Sequence, residues 1–174
     1  MQCSDLLDDA FARIPAEVRR ALDGLDPDAL TWQPEPGANP IGWLAWHLAR
    51  VQDDHVADLA GRGQTWSEGG WAPRFGLSEA TTDIGYGHSL EQVMSVRPES
   101  VDALLEYLDE VTARTRAFLT TIDADDLDRV VDTSWDPPVT MGVRLVSVIG
   151  DSLQHAGQVA YLRGIYDRTV TAQR

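Results

Sequence analysis

Val143 to Gly164 reads VRLVSVIGDSLQHAGQVAYLRG. It contains no proline, and its acidic and basic side chains are only Arg144, Asp151, His155 and Arg163. The apolar spacing predicts one long helix, from about Thr140 to Tyr166. At about 100° per residue, the apolar arc centres near Ile149, Leu145 and Leu153. Asp151 then falls opposite that centre, near Arg144 and Gln158, and His155 lies at the edge of the arc. Asp151 and His155 are four apart, so their side chains leave one face and can share a ligand.

Three more segments carry helical spacing. From Ser4 to Leu25, residues Leu6, Leu7, Ala10, Phe11, Ile14, Val18 and Leu22 fall on one side, with Pro15 predicting a kink or a break. The Pro-rich DPDALTWQPEPGANP, Asp26 to Pro40, reads as a loop. Asn39 is a candidate N-cap with Pro40 at the first helical position, opening a helix from Ile41 to about Ala60 that Gly61 ends. A further amphipathic helix starts near Pro98 and repeats Val101, Leu104, Leu105, Leu108, Val111, Thr115, Phe118, Leu119 and Ile122. Between it and the last helix, two short extended runs flank Trp135 to Pro138 and suggest a small hairpin.

Four long helices, no repeat and little strand signal predict an all-α four-helix bundle. The connection from Gly61 to Arg97 is too long for a plain loop in a compact domain. Ser89 and Gln92 make a capping box for a short helix through Val96, and the aromatic residues of this segment predict that it packs across the bundle.

The 174 residues suit one domain, 1–174, with a sizeable core. No apolar run approaches the roughly 18 residues of a membrane span, so no membrane partner is expected. The acidic N-terminus lacks a signal pattern, which makes the cytoplasm the default compartment. The single cysteine, Cys3, fits a reducing environment and reads as inert. A formal charge of −14 opposes a nucleic-acid partner. All 14 basic residues are Arg, which reads as the codon bias of a GC-rich genome and excludes Schiff-base chemistry on a lysine.

The chain has four histidines, His47, His55, His88 and His155. The second helix carries WLAWHLARVQDDH and the last carries DSLQH. One ligand from a facing helix, added to Asp151 and His155, would complete a three-residue site inside a bundle. Two neutral imidazoles and a carboxylate suit a borderline divalent ion and leave positions open for water or substrate. The wheel also permits a solvated polar stripe, since it sets His47 beside Asp54 and Asp58 and His55 nearer the apolar centre. Spacing alone leaves both readings open.

WQPEPGANPIGWLAWHLARVQDDHVADLAG, Trp32 to Gly61, and DSLQHAGQVAYLRG, Asp151 to Gly164, resemble the DinB-like superfamily of four-helix-bundle metalloproteins. That superfamily includes the mycothiol-dependent maleylpyruvate isomerases, and the closer match is the branch named for a mini-circle protein. The resemblance runs from about Arg19 to Ile165. It implies a metal held by His47, Asp151 and His155, with zinc expected and nickel as the alternative. Many members carry His or Glu where this chain has the shorter Asp151.

The resemblance further implies a metal-dependent transferase or isomerase that uses a low-molecular-weight thiol on a small-molecule substrate. A metal-assisted hydrolase would use the same ligands, and a non-catalytic stress-response or binding bundle is the rival from another class. Asp54 and His55 are candidates to orient a ligand. His88 is a candidate to reach the site from the long loop, or else it packs there. Arg144 is a candidate for a substrate carboxylate or for pairing with a surface acid, and Gln158 for holding a water or a ligand. Of Trp43, Trp46, Trp66, Trp71 and Trp135, most are expected in the core. Exposed Leu or Trp positions would support a homodimer. GYGHS resembles no phosphate loop, and Ser134 and Ser152 have no base and acid for a triad.

Overall fold

The computed structural model describes residues 2–172. Four long helices form a bundle: α1 (Cys3–Leu22), α2 (Ile41–Ala60), α5 (Val101–Leu119) and α6 (Met141–Ala172). The short helices α3 (Thr65–Glu68) and α4 (Leu90–Ser95) lie in the connection between α2 and α5. Strands β1 (Val130–Asp132) and β2 (Val139–Thr140) pair antiparallel just before α6. The architecture is the predicted all-α bundle with its small hairpin.

The helices form a ring in which α2 packs on α6 and α5, and α1 packs on α6 and α5. His47 meets His155 while His55 meets Arg144, so α2 and α6 run antiparallel. Ion pairs of α1 with α5, Arg19–Asp109 and Arg116–Asp8, likewise set those two helices antiparallel. Phe11, Ile14, Val18, Leu48, Leu108, Leu145 and Val159 lie at the centre and are at most 1% exposed.

Local chemistry accounts for most boundaries. Gly61 ends α2 with φ +62, the left-handed conformation that carries no Cβ penalty in glycine. Ser100 caps α5 by accepting from Ala103 N–H, so α5 begins after Ser100 rather than at Pro98. The Ser89–Gln92 capping box opens α4 as expected. At α2, Pro40 itself is the cap and Asn39 makes no cap contact; the Pro40 carbonyl accepts the first intrahelical bond, from Leu44.

Pro15 does not break α1, which continues to Leu22 and stops short of Leu25. The ring removes one helical hydrogen bond, but buried Phe11, Ile14, Val18 and Leu22 hold both halves on the core. Leu6 is the exception on that face, being exposed. α6 runs past Tyr166 to Ala172. Its buried line is Leu145, Val148, Ser152, Ala156 and Val159, while Leu153 is 37% exposed. The arc therefore centres away from Leu153; Asp151 borders the buried face instead of opposing it, and His155 lies at its edge as the spacing predicts.

The Gly61 to Arg97 segment packs across the bundle through Trp66, Trp71, Phe75, Val93 and Val96, all buried. It covers the side of α2 that the other helices leave open, so every residue from Ile41 to Asp53 is buried. Trp43, Trp46, Trp66 and Trp71 are core residues, and Trp135 is 67% exposed at the hairpin.

Candidate metal centre

α2 brings His47, and α6 brings Asp151 and His155, to one point on their shared interface. One ligand atom from each of the three lies within 4.8 Å of the others. The two imidazoles meet edge to face with centroids 4.8 Å apart. His155 Nε2 stands 3.6 Å from Asp151 Oδ1. His47 is 6% exposed, and the other two are half-buried.

Each imidazole is oriented through its far nitrogen. His47 Nδ1–H donates to the backbone carbonyl of Ile84, in the long connection. His155 Nδ1–H donates to Gln158 Oε1 at 2.7 Å. Both rings are thus left with Nε2 as the lone-pair nitrogen, the arrangement a metal-binding histidine needs from its surroundings. Gln158 therefore orients His155 through its amide oxygen. Asp151 Oδ2 is buried and has no hydrogen-bond partner among the described residues. A carboxylate oxygen so placed carries a desolvation cost that a cation would offset. The donor set, two imidazole nitrogens and one carboxylate, fits a borderline divalent ion.

Electrostatics separate the three groups. Burial, followed by the opposing pull of the Ile84 hydrogen bond and then the field of His155, leaves the His47 pKa below its ordinary value. The facing Asp151 carboxylate, which favours the protonated imidazole, is the main cause holding His155 above it. For Asp151 burial acts upward, but the facing His155 and the fields of His47 and His55 outweigh it and leave the carboxyl below its usual value.

Spacing places His55 nearer the apolar centre than His47, whereas in the structure His47 is the buried one. The long connection buries the His47 side of α2, whereas His55 faces a cleft of about 450 Å³ with Asp54, Asp58, Arg62, Asp132 and Arg144. Burial and the adjacent Arg144 lower the His55 pKa. Arg144 donates to His55 Nδ1 at 3.0 Å and to Asp132 at 2.8 Å, so it pairs with an acid as well as with a histidine. Asp54 accepts from Gln64 at 2.6 Å and makes no bond to the three-residue cluster. His88 stacks on Trp46, accepts from Trp43 Nε1–H at 3.1 Å, and bonds Asp83 at 2.7 Å. It packs beside the centre without joining the cluster, and Trp43 stacks directly on His47 at 4.7 Å.

Spacing did not single out Arg50, Asp53 or Tyr107, which are buried together beside the site. Their only trace in the sequence is polarity at His47, Arg50 and Asp53, three apart on a helix otherwise rich in apolar residues.

The family model of the DinB superfamily matches residues 10–159. Among solved structures, the chain is similar to a conserved protein from Enterococcus faecalis, with 30% identity, a TM-score of 0.85, and coverage of 94% of this chain and 96% of that one. No curated protein matches the chain. No described helix is long and apolar enough to cross a membrane.

Proposed function

Because the chain belongs to the DinB superfamily, we propose that His47, Asp151 and His155 hold a divalent ion, zinc in the first instance, and that the protein is a transferase or isomerase using a low-molecular-weight thiol. The observation that carries the metal reading is the partnerless Asp151 Oδ2 beside two imidazoles whose far nitrogens are both engaged. The thiol follows from the resemblance and from the open positions that a three-ligand site retains. When bound, such an ion lowers the pKa of a coordinated thiol and so raises its thiolate fraction at neutral pH.

The chain's own groups have separate tasks. Ile84 and Gln158 hold the two imidazoles in one tautomer, and Trp43 packs against the face of His47 and keeps water from it. Arg144 donates to His55 Nδ1, which leaves His55 Nε2–H as a donor toward the neighbouring cleft. A substrate oxygen that gains negative charge could accept from that N–H. Arg62 lies in the same cleft, whose other charged groups are Asp54, Asp58, Asp132 and Arg144.

Elemental analysis of untagged wild type beside His155→Ala is the direct test. About one divalent ion per chain in wild type, lost in the variant, is the expected result. Chelation should then abolish thiol binding with only a modest fall in thermal stability, and His47→Ala should abolish thiol transfer with the fold intact. A sharp fall in stability on chelation, without thiol binding at any stage, would mark a structural site and remove the transferase reading. Ester or amide hydrolysis without a thiol would replace it with the hydrolase.

A further inference from the structure

We propose that Arg50 is a positioning residue for this centre, one that selects the tautomer of His47 by gripping the loop in front of it. The proposal rests on reading His47, Asp151 and His155 as a metal site. Four consecutive carbonyls of the long connection accept from side chains of α2 and α3. Trp66 Nε1–H donates to Thr81 at 2.7 Å. Arg50 donates to Thr82 at 2.8 Å and to Asp83 at 3.3 Å, and His47 Nδ1–H donates to Ile84. His47 and Arg50 are three apart on α2 and so project from the same face.

Arg50 is 0% exposed and is itself clamped. It donates to Gln64 Oε1 at 3.0 Å and to Tyr107 Oη at 3.2 Å, lies 3.4 Å from Asp53 Oδ2, and sits over the Trp66 ring. Asp53 in turn accepts from Thr65 N–H, Trp66 N–H and Tyr107 O–H. A planar guanidinium can span two successive carbonyls while keeping these bonds; an ammonium cannot. With the 82 and 83 carbonyls fixed, the 84 carbonyl has one place to fall, against His47 Nδ1.

Gly85 closes the arrangement from the loop side. Its φ is +93, and a Cβ there would stand 2.9 Å from His47 Nδ1 and 2.9 Å from the Trp46 ring. The backbone lies on the imidazole with no room for a side chain. The His155 tautomer is set by Gln158 on its own helix, independently of this loop, and provides an internal reference.

The test is long-range proton–nitrogen spectroscopy of the histidine rings in metal-free wild type, Arg50→Lys, Arg50→Gln and Gly85→Ala, followed by zinc titration against a competing chelator. Wild type should show His47 protonated at Nδ1. All three variants should lose that signature, with His155 unchanged, and zinc affinity should fall roughly ten- to a hundredfold. Arg50→Lys keeps the buried charge beside Asp53, so it remains informative if Arg50→Gln does not fold. A folded Arg50→Lys with the wild-type His47 signature would overturn the proposal, even if Gly85→Ala lost it. A wild type that binds no zinc would remove the metal reading, while the tautomer comparison would still judge Arg50.

Discussion

At Asp151, the two carboxylate oxygens have different surroundings: Oδ1 faces His155, and Oδ2 is buried with no partner among the described residues. The pH response of the metal-free protein follows from the neighbouring histidines. His47 and His55 have folded pKa values below the ordinary 6.5, so their burial costs stability as pH falls below 6.5 and costs nothing above it. His155 has a folded value above 6.5, so its pairing with Asp151 stabilises fully below 6.5 and is lost as pH rises through the folded value. Taken together, these groups place a local optimum near pH 6.5. Thermal melts of metal-free protein across pH 5 to 8.5 should show wild type declining on the alkaline side and Asp151→Asn without that decline. The three-residue cluster was open in the sequence only as one of two readings, because residues four apart on a helix share a face whether or not anything faces them. Arg50 was not legible, since its partners are loop carbonyls and a carbonyl has no residue identity to read.

Among the elements, helical spacing located all four long helices, and the errors fell where an element is covered from more than one side. α2 is buried around its circumference from Ile41 to Asp53, so a helical wheel has no outer face to find there. That is why spacing alone sets His47 beside Asp54 and Asp58. α1 is the other case: of the two outcomes Pro15 predicts, a break does not occur, because long-range packing overrides the local penalty. Pro15→Ala should restore the hydrogen bond to the Phe11 carbonyl and remove the ring clash, raising stability by about 1–3 kcal/mol. Urea denaturation would measure it, and no gain would mean that α1 already relaxes around the ring.

Across the whole molecule, Asp53 ties three elements together: it meets Arg50 of α2, caps the Thr65 and Trp66 N–H groups of α3, and accepts from Tyr107 of α5. Asp53→Ala would leave the Arg50 guanidinium buried without its counter-charge and should cost about 3–5 kcal/mol. The exposed Arg13–Asp9 pair should contribute at most about 1 kcal/mol. Chemical denaturation of Asp53→Ala beside Arg13→Ala checks the contrast, and equal losses would refute it. What the sequence determined by itself was the local part: helix spans, most terminal caps, the hairpin, and the shared face of Asp151 and His155, all consequences of spacing and side-chain chemistry within a few residues. Only the tertiary structure decided which face of α2 is buried, which nitrogen of His47 is engaged, and that Arg50 grips residues more than thirty positions away. Those features depend on where a long connection comes to lie, and its course is set by contacts between groups far apart along the chain.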